Sequence, residues 1–256
     1  MRINHNITAL NTHRNMTINN LAVSKNMEKL ASGLRINRAA DDAAGLSISE
    51  VMRGQIRALE QGQRNAQDGI SYVQTAEGAM NEVSAMLVRM KELKIQQMNG
   101  TYSTIDKQNI SKELDELGSQ IKEIMDKTTF NGISITKGVS IYYFDRNDTM
   151  IEIDQITTAS FTNLSSTTGL EDINTAIKVV AQERAKLGAK QNRLEYTVNN
   201  LGTTIENLTA SESRIRDTDM AKEMVDLTKN SILLQAAQAM LAQANMQPQG
   251  VLSLLG

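Results

Sequence analysis

Side chains able to make or break bonds are few in this sequence, and they are scattered. There is no cysteine, and the only histidines are His5 and His13, which removes disulfides, thiol nucleophiles and thiolate metal sites. Eight positions apart, the two imidazoles would stand roughly 80° from each other on one helix. No cluster with metal-ligand spacing surrounds them, so a packing or solvated role is expected. Asp41-Asp42 invites comparison with paired-carboxylate catalysis, yet Arg35 and Arg38 lie close by in a link between helices, which favours ion pairing or helix capping. Gly33 and Gly45 are isolated and form no phosphate-binding loop. Asn-x-Ser/Thr triplets start at Asn6, Asn15, Asn147, Asn163 and Asn207, and such a triplet matters only on an accessible surface. The Ser/Thr-rich stretch from Thr157 to Thr168 is the more accessible place. No catalytic constellation results, and the expectation is a protein that is no enzyme and holds no cofactor or metal.

The bulk properties narrow the class further. The 256 residues are 40% hydrophobic but only 3% aromatic, so any core must be built from aliphatic and methionine side chains. A net charge of -2 argues against a duplex nucleic-acid partner, which calls for a basic excess. No run reaches the roughly 18 apolar residues that read as a membrane span, and the first twenty residues lack the apolar stretch of a secretory signal. The segment Asn230 to Gly256 carries no charged side chain, but recurrent Gln and Asn keep it from reading as a membrane anchor.

Helical periodicity dominates both ends. Ile3, Ile7, Leu10, Thr17, Leu21, Leu30 and Leu34 follow steps of three and four or their sums, which predicts a helix with one apolar face. A polar passage from Gly33 to Gly45 ends it. Ser47 to Glu50 has capping-box spacing, so a second helix is expected to start there. Its stripe is Ile56, Leu59, Ala66, Ile70, Val73, Met80, Leu87, Met90, Leu93 and Gln97, before Asn99-Gly100. Ser103 to Asp106 repeats the capping spacing ahead of Leu114, Leu117, Ile121 and Ile124. Between about Ile133 and Thr168 the period becomes two, as in Ile133/Ile135, Val139/Ile141 and Ile151/Ile153, predicting short strands. Phe130, Tyr142, Tyr143, Phe144 and Phe161 gather there, which suggests a separate small hydrophobic cluster. Asp172 is expected to cap a further helix, in which Ile173, Val180, Leu187, Leu194, Leu201 and Leu208 recur every seven residues, the period of a supercoil. A last helix is expected to open at Thr218 or Asp219, to carry Met224, Leu227, Leu234 and Leu241, and to stop at Pro248.

A helix from Ser47 to Gln97 would be roughly 75 Å long at about 1.5 Å per residue. A compact chain of this length has a radius of gyration near ~18 Å. The expected fold is therefore mainly α: a long antiparallel coiled-coil rod with paired terminal helices and a small β-hairpin region at 133–168. Pairing the two terminal helices buries one seam and leaves apolar surface over, which demands partners.

The segments MRINHNITALNTHRN (1–15), GLRINRAADDAAGLSISEVMRGQIRAL (33–59), NAQDGISYVQTAEGAMNE (65–82), NRLEYTVNNL (192–201), NLTASESRIRDTDMAKEMV (207–225) and LLQAAQAMLAQANMQPQGVLSLLG (233–256) closely resemble bacterial flagellin. The resemblance covers about residues 1–132 and 170–256. It implies that 1–45 and 212–256 form an inner coiled-coil domain, and that 46–211 form a rod domain from which the variable outer domains are nearly absent. It further implies a structural subunit that polymerises into the flagellar filament used for motility. The family is secreted through type III export and is extracellular in the filament, with no membrane or nucleic-acid partner. The alternative is a low-copy hook–filament junction adaptor. Self-assembly is expected to rest on Ile3, Ile7, Leu10, Leu21, Leu30, Leu34, Leu227, Leu234 and Leu241. The implied partners are many copies of the same chain, an export chaperone on the C-terminal segment, and the filament cap and hook-junction proteins. An animal Toll-like receptor for flagellin is a further implied partner, with contacts at Arg89, Glu92, Leu93 and Glu113. Val88 stands where recognised flagellins carry a glutamine.

Overall fold

The computed structural model describes the backbone of residues 6–144 and 149–255, and side chains within those ranges up to Gln247. Among the described residues five helices and four short strands follow one another: α1 (Ile7–Ser32), α2 (Ala43–Met98), α3 (Thr104–Lys127), β1 (Thr129–Phe130), β2 (Ile133–Ser134), β3 (Val139–Tyr142), β4 (Met150–Ile153), α4 (Leu170–Arg216) and α5 (Met220–Leu255). The fold is mainly α with two small antiparallel sheets, β1–β2 and β3–β4. Two compact units divide the chain, one of 1–54 with 208–256 and one of 55–207. These limits reach further into the long helices than the boundaries expected at 45/46 and 211/212. Ile3, His5 and Asn147 lie outside the described residues.

Unit 55–207 has one core fed by three helices. On α2 the buried positions Leu59, Ala66, Val73, Ala76, Met80, Val83, Leu87 and Met90 keep the alternating step of three and four or its sums. From α4 come Ile173, Val180, Leu187 and Leu194, each seven after the last, and Leu201, seven further on, is also buried. On α3, Leu114, Ile121 and Met125 complete the cluster. The capping box at Ser103 forms as expected, with Asp106 N–H donating to the Ser103 hydroxyl at 3.3 Å and Ser103 N–H to the Asp106 carboxylate at 3.2 Å.

The strands do not form a cluster of their own. Ile135, Ile141, Ile151, Ile153 and Phe161 join the helical core, while Tyr142 and Phe144 remain exposed. Two-stranded sheets of two to four residues per strand have too little surface to stand alone, so they lie on the helices. Tyr72 of α2 anchors them: its buried hydroxyl is 2.8 Å from the Lys137 carbonyl and 3.2 Å from that of Ile135, and its ring meets Phe130 edge-on at 6.1 Å. Burial pushes its phenol pKa up. Gly62 and Gly69 allow the strands this approach, since a Cβ would run into the Tyr143 carbonyl oxygen at the first and the Ile141 side chain at the second.

Three expected helix ends differ. The second helix starts at Ala43, because Asp42, as strong a cap as serine, takes the Gly45 N–H at 2.8 Å and leaves Ser47 inside the first turns. The fourth starts at Leu170, so Asp172 is within it and reaches back to the Gly169 N–H at 3.2 Å. The fifth does not stop at Pro248 but continues to Leu255. Proline removes the bond to the carbonyl four residues back and crowds that carbonyl with its ring, and that carbonyl, of Ala244, accepts instead from the Asn6 side-chain amide at 2.7 Å.

Candidate functional site

In the unit formed by 1–54 and 208–256, α1 and α5 lie antiparallel. Asn6 caps α1, its side-chain oxygen accepting from the Ala9 N–H at 3.0 Å. Gly33, at φ 71°, closes it in the left-handed conformation that glycine tolerates. Asp219 opens α5 by accepting from the N–H groups of Ala221 at 3.0 Å and Lys222 at 3.2 Å.

The seam between the two helices is not the stripe of largest side chains. On α1 the sheltered positions are Ala9, Thr12, Met16, Asn19, Val23, Asn26 and Leu30; on α5 they are Glu223, Leu227, Asn230, Leu234, Ala237, Leu241 and Ala244. Both runs keep the three–four step of a coiled coil. Thr12, Asn19 and Asn26 put a polar group at every seventh α1 position, and the last of them is buried together with Glu223. With its amide oriented to satisfy its neighbours, Asn26 donates to Glu223 at 3.1 Å and to the Ala22 carbonyl at 3.0 Å. Its oxygen accepts from Asn230 and from the Leu227 N–H, both at 3.1 Å. Lys29 stands 3.8 Å from the same Glu223 carboxylate.

The expected assembly residues therefore fall into two sets. Leu30, Leu227, Leu234 and Leu241 are half-buried in the seam, and Leu34 is half-buried where it pairs with Asp217. Ile7, Leu10 and Leu21 lie on the other side of α1, 60%, 66% and 63% exposed. Ile18, which sequence reasoning passed over, joins them, and α5 adds exposed Met220, Met224, Val225, Ile232, Met240 and Met246. A helix apolar on every side is one made to be surrounded. The missed signal was available, since α5 has no polar face between Ser231 and Leu241 beyond two glutamines.

The two breaks in the chain, 33–42 and 217–219, are stitched to each other. Leu34 bridges Asp217, Arg35 N–H donates to the Arg216 carbonyl at 2.6 Å, and Thr218 N–H to that of Gly33 at 3.0 Å. The Arg35 guanidinium holds the Ile215 carbonyl at 2.6 Å, and Arg216 pairs with Glu50 at 2.6 Å. That bond, first among several influences, holds the Glu50 carboxyl below the ordinary glutamate range. Asp41 accepts from the N–H groups of Arg38 and Asn37 at 3.0 and 3.3 Å, which lowers its pKa. Both aspartates are thus spent on backbone capping.

On unit 55–207, Arg89 bridges Glu113 at 3.0 Å and Glu92 at 3.4 Å, all three about half-exposed. The Glu113 hydrogen bond, then its charge, raises the Arg89 pKa. Leu93, four residues on from Arg89 on the same helix, is 2% exposed and part of the core. Among the described residues no group of three or more His, Asp or Glu could hold a metal, and no helix is long and apolar enough to cross a membrane.

Residues 3–140 match the family model for the bacterial flagellin N-terminal helical region, and residues 170–255 match that for the C-terminal helical region. The chain is 46% identical over 303 residues to a flagellin of Bacillus subtilis and 48% identical over 272 residues to a flagellin of Halalkalibacterium halodurans. It is 45% identical over 285 residues to a flagellar filament 33 kDa core protein of Treponema phagedenis. In each case all of this chain and all of the relative are covered.

Proposed function

The chain belongs to the bacterial flagellin family and is a structural subunit of the flagellar filament, not an enzyme; on that premise we propose how its surfaces assemble. Segments 1–45 and 212–256 form the inner coiled-coil domain, and 46–211 form the rod domain. One observation carries this reading: after α5 has covered one side of α1, the stripe of Ile7, Leu10, Ile18 and Leu21 is still open to water. Burying ~800 Å² of such surface per subunit contributes on the order of 20 kcal/mol before ordering and association costs, so neighbouring copies are its natural cover. The half-buried Leu30, Leu34, Leu227, Leu234 and Leu241 act one step earlier, by holding the pair that presents the stripe. Ile3, outside the described residues, continues the stripe in sequence.

The subunit is secreted through type III export and works outside the cell. Before export a chaperone holds the uncharged C-terminal segment, whose apolar surface would otherwise associate early. In the filament the end subunits meet cap and hook-junction proteins. Arg89, Glu92 and Glu113 form the contact for an animal Toll-like receptor, with Leu93 supporting them from the core. Because exposed ion pairs contribute under ~1 kcal/mol, Arg89→Asp should leave the melting of the purified chain nearly unchanged while abolishing receptor activation in reporter cells. An unchanged response removes this contact. The filament role is tested by electron microscopy after adding short filament seeds to the purified chain. Long smooth extensions are expected, and capped or unextended seeds would point to a low-copy junction adaptor instead.

A further inference from the structure

A helix-breaking residue sits inside α5, and the group it disturbs is met by the opposite end of the chain. Proline at 248 offers no N–H, so the Ala244 carbonyl has no helical donor. Every non-proline residue along α5 can return its own N–H to the carbonyl four back. Away from the helix ends, this position is where α5 most needs an outside donor. Ala244 is buried, where an unsatisfied carbonyl is costly.

Asn6 uses both ends of one amide here. Its oxygen accepts from the Ala9 N–H at 3.0 Å and the Thr8 hydroxyl at 2.6 Å, fixing the start of α1, and its nitrogen donates to the Ala244 carbonyl at 2.7 Å. The apolar part of the seam cannot by itself choose an alignment, since a stripe that repeats every seven residues fits nearly as well when slid by seven. Polar contacts can choose. At the far end of the pair, Asn26 meets Glu223, Leu227 and Asn230. From Asn6 to Asn26 is twenty residues of α1 and from Glu223 to Ala244 twenty-one of α5, so one antiparallel alignment satisfies both contacts together and a slide of seven breaks both.

We propose that Asn6 and Pro248 form a register key: the proline frees one carbonyl of α5 and the asparagine of the same chain claims it, locking the terminal helices in a single alignment. Asn6 is thus a specificity-determining residue for helix pairing, and Pro248 is a placed feature of α5. The readout below rests on the filament role proposed above.

The test is a double-mutant cycle on the full chain, reading the critical concentration for elongation of filament seeds. Asn6→Ser keeps a good helix cap but is too short to reach Ala244, and should raise that concentration about fivefold, the loss of one hydrogen bond of about 1 kcal/mol. Pro248→Ala restores an N–H to α5, so in that background Asn6→Ser should change it less than about twofold. If Asn6→Ser abolishes elongation outright, Pro248→Ala must restore it. The key is overturned if Asn6→Ser has no effect in the natural sequence, or costs the same in both backgrounds. Failure of the unmodified chain to elongate would instead contradict the filament role. The same four chains compared by thermal unfolding would then decide the key, Asn6→Ser lowering the first melting step only where Pro248 is present.

Discussion

Replacing Leu10 by serine separates the folding of one chain from the joining of many. Leu10 is 66% exposed and lies on the side of α1 facing away from α5. Full burial of a leucine is worth about 1.5–3 kcal/mol, so the two-thirds still open offer a neighbouring copy about 1–2 kcal/mol. At about 1.4 kcal/mol per tenfold, losing it should raise the critical concentration for seeded elongation by about 5–30-fold. Within the isolated chain the change removes almost no contact and costs about half a kcal/mol of helix propensity. Circular dichroism melting should therefore stay nearly unchanged while the soluble concentration left after pelleting filaments rises. The reasoning is refuted if the melt falls as far as assembly weakens, or if elongation proceeds at the original concentration.

Three further outcomes follow from the packing. Gly62→Ala should destabilise unit 55–207 by about 1–3 kcal/mol in thermal melts, because its methyl group meets the Tyr143 backbone, whereas Gly78→Ala, with nothing within 4 Å, should stabilise by up to about 1 kcal/mol. Tyr72→Phe, which leaves the Lys137 carbonyl without its 2.8 Å donor, should cost about 1–2 kcal/mol in denaturant unfolding and loosen amide protection of β2. Acid should weaken the stitched link: Glu50 has a folded pKa below its unfolded value, so its contribution is present above the ordinary glutamate range and is lost as pH falls through the lowered folded value. Acid melts of Glu50→Gln should lack this part of the pH dependence.

Much of the architecture could be read from residue spacing. The seven-residue repeat from Ile173 to Leu201 appears as a buried line in α4, and the Ser103 capping box forms as its spacing required, because both are local signals that tertiary packing reinforces. The terminal helices were harder. Twenty-six residues of α1 hold two stripes of coiled-coil period, one with the large Ile7, Leu10 and Leu21 and one with Ala9, Thr12, Met16 and Asn19. Side-chain size favours the first, yet the helices pair through the second, in which smaller groups admit close approach and Asn26 finds partners on α5. Pro248 misled for a related reason. A local rule ends the helix there, and a contact between Asn6 and Ala244, 238 positions apart in sequence, supplies what the rule finds missing. The period-two pairs after Phe130 gave β2, β3 and β4 but not β1 at Thr129–Phe130, and no strand follows Ile153 among the described residues; whether those strands kept their own core depended on helices distant in sequence.

The most direct test of the account is a reconstruction of the assembled filament at side-chain resolution. It should show Ile7, Leu10, Ile18 and Leu21 covered by α1 or α5 of neighbouring copies, with Leu227, Leu234 and Leu241 still facing α1 of their own chain. A filament wall in which that α1 stripe faces open solvent, or in which α5 pairs through a different side, would contradict it.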